Sequence, residues 1–569
     1  MAANPFAEMT AYGMLAAVAA RHGSREAIVF GDERITFADF GARVDAFAAG
    51  LAALGLGPGD ALAIWLPNRP LWFVAQYAAA RLGVVIVALN PRYRAHELAY
   101  ILTQSNATAL LLTDHLGPID YFETLHEVIP DLSNAEPGAL TSTNLPKLRH
   151  VIVDADDPYP GCLRASDLYS PDDAAAGGLA GVGGGEASRA NASLSEEASP
   201  APTRARPGPD DVFTLLYTSG TTSFPKGAMI THRNCVPHGW NCGEQLRITP
   251  DDRVLHALPA PGTWGGLNVP LSTWSHGACL VLMGTWDPLR ALVLIERERC
   301  TVFNAVDTML KPMFEHPDFD RYDHSSLRTG GFASVGGGGP GMLDAVVERL
   351  GVPLAFQPYG MTEVNALALF HDLDEPLALR LQPGIVPAPG LEVRVAHPDS
   401  GAPCDPGQEG ELQFRGTLVT PGYYDKPEET RAAFTEDGWF RTGDLAVQDG
   451  RGHTVFMGRL KETLRISHFM VAPGEIEAFL QTHPDVDQAF VVGVPDPEIN
   501  EAPVAYVIAK PHAQVGEAEL RAFCRGKIAS YKIPRAIRFV ADVPRTPGPH
   551  GDKVQRGKLR EQAIEELRG

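Results

Sequence analysis

The stretch LLYTSGTTSFPKGAMITHRN, from Leu215 to Asn234, places a hydroxyl-rich loop with one lysine directly after an apolar run. Its apolar start predicts a buried strand, the middle is a loop with one lysine, and a helical pattern follows. Four hydroxyl side chains stand close together in the loop: Thr218, Ser219, Thr221 and Thr222. Together with the backbone N–H groups around Gly220 and the charge of Lys226, they can surround phosphate oxygens. The stretch therefore predicts a polyphosphate-binding loop.

Two other interpretations of this loop are weaker. A Ser/Thr-rich surface turn would rarely carry this composition directly after a buried strand. A P-loop NTPase would need Gly-Lys-Ser/Thr, whereas here the lysine lies in Pro225-Lys226-Gly227.

Composition excludes several classes of protein. The 569 residues are too many for one typical domain, and a net charge of -21 argues against nucleic acid as the main partner. The early apolar stretch YGMLAAVAA is too short to cross a bilayer, so we expect no signal peptide or membrane anchor. Seven scattered cysteines predict neither a disulfide framework nor a zinc site. A cytoplasmic protein is expected, and the oligomeric state stays open, with a homodimer as one alternative.

Short apolar runs alternate with helical patterns along most of the chain, which predicts the α/β class with parallel sheets. The predicted strands include ALAIWL, VVIVAL, ALLLTD, HVIVDAD, ACLVLMG and CTVFNAV, and FGARVDAFAAGLAALG is a predicted helix. We expect a large N-terminal domain with its first part in residues 1–169 and its ATP- and substrate-binding part in 212–459. Residues 170–211 are rich in Gly, Ala, Ser and Pro and are predicted to be disordered. Residues 460–569 predict a small, mobile α+β domain.

A second glycine-rich segment carries a weaker signal. Gly336, Gly338 and Gly341 satisfy the pattern GxGxxG, but a glycine run does so trivially, and the residues before it make a poor strand. Because glycine has no side chain, the segment is better interpreted as a site where the backbone approaches a flat ligand closely.

Four further motifs follow in order: QPYGMTE at 357–363, GWFRTGDLA with Asp444, GRLKE with Arg459 and Lys461, and a C-terminal segment with Lys553. With the phosphate loop, they make the chain resemble the adenylate-forming superfamily of acyl-CoA synthetases, firefly luciferases and nonribosomal peptide adenylation domains. The resemblance covers nearly the whole chain apart from the low-complexity insert.

The resemblance implies a role for each matching residue. Gly336, Gly337 and Gly338 would form the adenine turn, and Tyr359, beside Gln357 and Pro358, would lie against adenine. Thr362 would contact the α-phosphate, and Glu363 would hold Mg²⁺. Asp444 and Arg459 would bind the ribose region, Lys461 would be the hinge of the small domain, and Lys553 would act in catalysis with Thr218 and Glu363.

Some positions depart from the family pattern. Gly262 stands where a histidine or another aromatic is usual, so Trp264 and Met361 are candidate residues of the acyl-binding site. His468, next to Phe469, replaces a glycine near the thiol acceptor, and Asp552 replaces a glycine beside Lys553. These changes fall on the acceptor side of the reaction.

The resemblance implies an ATP-dependent, AMP-forming ligase that joins a carboxylic acid to CoA, with Mg²⁺ as cofactor. Two alternatives stay open at this point. One is an adenylate-forming enzyme with another acceptor, either amide-forming or a nitrite-activating enzyme like a diazotase. The other is a nucleotide-binding homologue that has lost catalysis.

Overall fold

The computed structural model describes residues 4–169, 206–218, 225–333, 342–382, 384–466, 469–546 and 553–568. The chain divides into two compact units. The first unit comprises Met1–Trp286, Thr362–Ala366 and Thr420–Thr430, and the second comprises Asp287–Met361, Leu367–Val419 and Arg431–Gly569. The predicted fold class is confirmed: the chain is α/β, with a large N-terminal part and a small C-terminal part. The boundary predicted at residue 460 stays a prediction. Of the segment predicted to be disordered, residues 170–205 lie outside the described residues.

The strands of the first unit are β1 (Glu26–Phe30), β2 (Glu33–Thr36), β3 (Ala61–Trp65), β4 (Val85–Ala88), β5 (Ala109–Thr113), β6 (His115–Leu116), β7 (Ile119–Asp120), β8 (His150–Asp154), β9 (Leu163–Arg164), β10 (Val212–Thr218), β11 (Lys226–Thr231), β12 (Arg253–His256) and β13 (Cys279–Leu282). Its helices are α1 (Ala11–His22), α2 (Phe37–Ala53), α3 (Pro70–Leu82), α4 (Ala95–Gln104), α5 (Tyr121–Val128), α6 (Ala165–Leu168), α7 (His232–Gln245) and α8 (Val269–Ser275).

The main sheet of this unit has the order β11-β10-β4-β3-β5-β8-β9. Its strands run parallel from β10 to β9, and only the edge strand β11 is antiparallel to its neighbour. Every residue of β3 and β5 is buried, as expected for strands covered on both faces. The predicted parallel sheet is therefore confirmed, and it ends in an antiparallel hairpin at the phosphate loop.

The start of helix α2 and its buried face both follow from its sequence. Thr36 accepts a hydrogen bond from the backbone N–H of Asp39 at 3.1 Å, and the Asp39 carboxylate accepts from the backbone N–H of Thr36 at 3.3 Å. This capping box satisfies amide groups that the first turn leaves without helical partners. The buried face follows a spacing of three and four residues: Phe37, Phe40, Val44, Phe47 and Leu51.

The strands of the remaining chain are β14 (Val302–Phe303), β15 (Ala305–Val306), β16 (Thr329–Ala333), β17 (Leu354–Phe356), β18 (Leu369–Phe370), β19 (Val386–Pro387), β20 (Leu391–Ala396), β21 (Glu409–Gly416), β22 (Phe440–Gln448), β23 (Thr454–Arg459), β24 (Leu464–Ile466), β25 (Phe469–Val471), β26 (Val486–Asp496), β27 (Asn500–Ala509), β28 (Ala536–Phe539), β29 (Arg545–Thr546) and β30 (Lys553–Val554). The helices are α9 (Pro288–Glu298), α10 (Asp307–Phe314), α11 (Met342–Glu348), α12 (Leu377–Arg380), α13 (Pro427–Ala433), α14 (Pro473–Gln481), α15 (Glu517–Cys524) and α16 (Arg556–Arg568).

Two sheets of the second unit carry candidate site residues. Strands β20, β21, β22 and β23 form an antiparallel meander. In the C-terminal part, β26 and β27 form a long antiparallel hairpin, β24 and β28 pair with β27, and apolar clusters pack on both faces. The α+β character predicted for this part is confirmed.

The strand before the second glycine run was predicted to be poor, and that prediction is wrong. Residues Thr329–Ala333 form β16, which pairs in parallel with β14, β15 and β17. Glycine is what makes the pairing possible, because a Cβ atom on Gly330 would lie 1.8 Å from the carbonyl oxygen of Phe303. The predicted strand CTVFNAV is split at Asn304, whose side chain accepts a hydrogen bond from Gly331 at 2.9 Å.

No helix within the described ranges combines the length and apolar character that a bilayer crossing requires.

Candidate active site

The phosphate loop joins two paired strands. Strands β10 and β11 are antiparallel, and Thr218 and Lys226 are register partners at the end of the hairpin. The helix predicted after the loop is present, but the sequence missed the strand β11 between them, so the helix α7 begins only at His232. The apolar residues of β11 pair back onto β10 first, and Thr231 then caps the helix by accepting from the N–H of Asn234 at 3.1 Å.

Only part of the loop lies within the described residues. Thr218 and Lys226 do, and both are partly buried. The predicted contacts at Ser219, Gly220, Thr221 and Thr222 fall outside the described residues, as do those at Gly336, Gly337 and Gly338.

Glu363 and Lys226 both contact one tyrosine in the first unit. Glu363 is 6% exposed, and its Oε1 accepts a hydrogen bond of 2.9 Å from the Tyr423 hydroxyl. The Lys226 ammonium lies 5.1 Å from the centroid of the Tyr423 ring. Burial and the neighbouring Glu363 carboxylate raise the pKa of Tyr423 above its ordinary value, so its hydroxyl keeps its proton at neutral pH. Sequence reasoning missed Tyr423, which lies 60 residues from Glu363 along the chain.

The backbone around Glu363 is unusual. Thr362–Val364 is a short 3-10 turn, and the N–H of Asn365 donates to the carbonyl of Thr362 at 3.1 Å. The next two residues, Asn365 and Ala366, have φ of 58° and 65°. Left-handed conformations at a non-glycine residue cost free energy and concentrate at functional sites.

Tyr359, Asp444 and Arg459 form a separate hydrogen-bonded group in the second unit. Asp444 is 2% exposed; one carboxylate oxygen accepts from the Tyr359 hydroxyl, and the other lies 2.8 Å from the Arg459 guanidinium. Asp444 and Arg459 are register partners on β22 and β23. Burial and the Asp444 charge raise the pKa of Tyr359 well above its ordinary value. Three residues chosen from separate motifs are thus brought together, and their role in binding adenosine stays a prediction.

The residues around Tyr359 fix its ring. The ring packs 5.1 Å from that of Phe456 and 6.3 Å from that of Phe414, centroid to centroid. Gln357 donates its backbone N–H to the carbonyl of Arg380 at 2.8 Å, and Pro358 is buried.

The acyl-site candidates lie on different units. Gly262 and Trp264 are buried in the first unit, and Trp264 starts a π-helical turn that runs to Asn268. Such turns are rare and often mark functional sites. A Cβ atom on Gly266 would lie 2.0 Å from the carbonyl oxygen of Ala260, so this turn needs glycine there. Met361 is partly buried in the second unit.

The acceptor side is only partly described. Lys461 lies exposed in a short 3-10 turn, Leu460–Glu462. His468 and Asp552 lie outside the described residues, and Phe469 begins β25. Lys553 begins β30, with its backbone opposite Thr546.

Arg556, which sequence reasoning missed, begins the helix α16 just after the strand of Lys553. Arg556 forms ion pairs with Glu477 and with Glu462, beside the hinge candidate, and donates to the carbonyl of Val491 at 3.0 Å. The arginine follows Lys553 closely in one motif, and nothing in the sequence identified its partners.

Comparisons with known proteins show the family of this chain. The family model of AMP-binding enzymes matches residues 15–424, and the model of the AMP-binding enzyme C-terminal domain matches residues 475–548. The chain belongs to the AMP-binding enzyme family.

Relatives of nearly full length support this assignment. YngI of Bacillus subtilis, a suggested acyl-CoA synthetase, is 37% identical over 97% of this chain and 96% of its own length. The mitochondrial medium-chain acyl-CoA ligase ACSF2 of Mus musculus is 33% identical over 97% of this chain and 87% of its own. The crystal structure of ATP-bound MatB from Rhodopseudomonas palustris superposes with a TM-score of 0.78 at 27% identity, covering 98% of this chain and 100% of MatB.

The chemistry of Glu363 fits the Mg²⁺ that an AMP-binding enzyme of this kind would use. Within the described ranges, no group of three or more His, Cys, Asp or Glu side chains is arranged to hold a metal ion. Mg²⁺ is commonly bound through one or two carboxylates together with substrate phosphates. A buried carboxylate that shares its neighbour Tyr423 with a lysine suits an ion that arrives with the nucleotide.

Proposed function

We propose that this AMP-binding enzyme is an ATP-dependent acyl-CoA synthetase. It would adenylate a carboxylic acid with release of pyrophosphate, then transfer the acyl group to the thiol of CoA with release of AMP. Relatives named as acyl-CoA synthetases and ligases support the proposal. The observation that carries it is that one motif, residues 357–363, supplies Tyr359 to the group with Asp444 and Glu363 to the group with Tyr423 and Lys226.

The first step places negative charge on the nucleotide. A carboxylate oxygen attacks the α-phosphorus of ATP, a bond to that phosphorus forms, and pyrophosphate leaves on the opposite side. Fixed cations and hydrogen-bond donors stabilise such a transition state more than any covalent contact does. Lys226 and Thr218 would hold the triphosphate, and Thr362 would contact the α-phosphate. Lys553 would meet the charge that develops between the α-phosphate and the acyl oxygen.

Glu363 would hold Mg²⁺, which when bound offsets the repulsion between carboxylate and triphosphate. The adenosine would be held by Tyr359 against the base and by Asp444 and Arg459 at the ribose. Because the Asp444 carboxylate is already oriented by a hydroxyl and a guanidinium, it needs little reorganisation to accept ribose hydroxyls.

In the second step, the sulfur of CoA attacks the acyl carbon, and AMP leaves with the oxygen that the acid contributed. We propose that the C-terminal part, residues 460–569, turns about Lys461 between the two steps, so that Lys553 serves the first step alone. The seven cysteines are free thiols, which supports a cytoplasmic location.

The acid is proposed to be a medium-chain aliphatic acid, because the ACSF2 relatives are named as medium-chain acyl-CoA ligases. Trp264, which is 8% exposed, would form an apolar wall beside Gly262, where the family resemblance implies a bulkier side chain.

Release of AMP from ATP and Mg²⁺ tests the proposal. A panel of straight-chain acids from acetate to palmitate, aromatic acids and nitrite would each be run with and without CoA. We expect AMP release that requires both an acid and CoA, with the highest kcat/KM for a medium-chain acid, and a collapse of turnover in Lys553→Ala. No turnover with any acid would sink the proposal.

His468 gives the panel a second use. The glycine that His468 replaces lies, by resemblance, near the thiol acceptor. AMP release by the wild type that does not depend on CoA, together with CoA-dependent release by His468→Gly, would identify an enzyme with another acceptor. That result would overturn the proposed transfer to CoA.

A further inference from the structure

Tyr423 contacts both charged side chains of the first unit that are proposed to act on the triphosphate. Its hydroxyl donates to Oε1 of Glu363 at 2.9 Å, and the face of its ring lies 5.1 Å from the Lys226 ammonium. The residue is 9% exposed, so both contacts are largely shielded from water. In such surroundings a hydrogen bond to a carboxylate and a cation–π contact are stronger than at an open surface.

The position of Tyr423 is fixed by the strand that carries Lys226. The N–H of Met229 donates to the carbonyl of Gly422 at 3.0 Å, and the N–H of Tyr424 donates to the carbonyl of Gly227 at 2.8 Å. The N–H of Tyr423 itself donates to the Thr430 hydroxyl at 2.9 Å. Tyr423 is therefore held in register with β11.

The same segment is tied to the turn that carries Glu363. The N–H of Thr420 donates to the carbonyl of Glu363 at 2.7 Å, and the Thr420 hydroxyl donates to the carbonyl of Met229. Gly422 permits this close packing: it has a φ of 139°, and a Cβ atom there would lie 2.4 Å from the Thr430 methyl group. Backbone hydrogen bonds thus set the distance from β11 to Glu363, and Tyr423 fills the space with one side chain.

We propose that Tyr423 is a positioning residue for the adenylation step, whose hydroxyl orients the Glu363 carboxylate for Mg²⁺ and whose ring orients the Lys226 ammonium for the triphosphate. The inference rests on the proposed use of ATP and Mg²⁺. A neutral hydroxyl fixes the carboxylate without cancelling its charge, whereas a lysine or arginine at this position would compete with the metal ion.

The two contacts can be separated by substitution. Tyr423→Phe removes the hydroxyl and keeps the ring beside Lys226, whereas Tyr423→Leu removes both. Tyr424→Phe is the matched control: it removes a hydroxyl from the next residue, and that hydroxyl accepts a hydrogen bond of 3.4 Å from the side chain of Asn106. Glu363→Gln supplies the reference for loss of the metal-binding carboxylate.

Equilibrium dialysis of α,β-methylene ATP, which cannot release pyrophosphate, measures the effect without turnover or an acid. Affinity is measured for each variant with saturating Mg²⁺ and with EDTA, and the ratio of the two is the gain from the metal. We expect Tyr423→Phe to lower the gain about tenfold, the effect of losing one hydrogen bond to a charged group, with the affinity in EDTA unchanged. Tyr423→Leu should weaken binding in EDTA as well, and Tyr424→Phe should match wild type.

Three results would overturn the inference. In the first, Tyr423→Phe keeps the wild-type gain in affinity from Mg²⁺. In the second, Tyr423→Phe loses affinity for the analogue by the same factor in EDTA and in Mg²⁺. In the third, Mg²⁺ does not increase the affinity of the wild-type protein. The affinity in EDTA also reports whether each variant is folded. The inference fails separately from the proposed function, because the dialysis needs neither an acid nor CoA, and AMP release with CoA is measured independently.

Discussion

Arg556→Ala is expected to destabilise the C-terminal part of the chain by about 3 kcal/mol. The guanidinium bonds Glu477, with one N–O distance of 3.0 Å, and its Nε lies 3.1 Å from Glu462. The Arg556 side chain is 23% exposed and that of Glu477 only 12%. The substitution therefore leaves a mostly buried carboxylate without its cation.

The magnitude follows from that exposure. Breaking a buried ion pair from one side costs about 3–5 kcal/mol, because the partner charge stays buried. Glu477 keeps one other donor, the N–H of Val491 at 2.7 Å, and water reaches part of Arg556, so the lower end of the range applies. The charges also explain why the pKa of Arg556 is raised: the two carboxylates outweigh the opposing effect of burial.

Hydrogen exchange of the full-length protein, followed by mass spectrometry, measures this loss locally. Peptides from α14 and β26 should exchange about a hundredfold faster in Arg556→Ala, since each 1.4 kcal/mol is about tenfold. Arg560→Ala is the control, because Arg560 pairs with Glu501 at 2.7 Å but is 49% exposed. Exposed pairs contribute at most about 1 kcal/mol, so its effect should stay within about fivefold.

The reasoning is refuted if Arg556→Ala exchanges like wild type, or if the two variants behave alike. The double variant Arg556→Leu/Glu477→Leu should recover most of the protection, since it leaves no unpaired buried charge at this pair. Failure to recover would mean that the hydrogen bonds of the pair to the Val491 backbone, and not its charges, stabilise this part of the chain.

Three further predictions concern other parts of the chain. Asp444→Asn should weaken ATP binding about tenfold in equilibrium dialysis, because it replaces the charged acceptor proposed for ribose; unchanged affinity would exclude that role. Burial lowers the pKa of His256 to about 3 and that of His232 to about 4, so the unfolded chain binds more protons below about pH 6.5 and stability falls as pH drops toward 4. His256→Leu should therefore gain about 2 kcal/mol relative to wild type on going from pH 7.5 to 5, whereas the exposed His126→Gln should not, and equal pH dependence in thermal unfolding would contradict this. Gly330→Ala should lower the melting temperature by several degrees or prevent folding, whereas Gly450→Ala, with open space around its Cβ position, should not; equal effects would be contrary to the account.

The parallel sheet was predictable because its strands are short apolar runs that stand out in the sequence. Fully buried runs such as Ala61–Trp65 and Ala109–Thr113 contain only apolar residues up to their ends, and helix-like patterns separate them. Short strands with small residues escaped prediction. The strand Thr329–Ala333 contains the glycines Gly330 and Gly331, which are unfavourable in strands. The close approach of the Phe303 carbonyl explains why Gly330 is needed there.

Some residues of the candidate site were predictable from the sequence and others were not. Motif order identified Tyr359, Asp444 and Arg459, and the fold brings them together through register on β22 and β23. Tyr423 and Arg556 were not predicted because their partners are distant along the chain. A lone tyrosine or arginine also forms no sequence pattern that would indicate a functional role. The strand β11 between the phosphate loop and the helix was missed for a related reason: its pairing with β10 is a tertiary contact that the local pattern does not show.

The most direct measurement is a single turnover with ATP, CoA and octanoate whose carboxylate carries heavy oxygen, with products identified by mass spectrometry. The account predicts octanoyl-CoA together with AMP that carries one heavy oxygen atom, since the acid's oxygen attacks the α-phosphorus and stays with AMP when the thiol takes the acyl group. Heavy oxygen in pyrophosphate or inorganic phosphate, or labelled AMP formed without any CoA thioester, would contradict it.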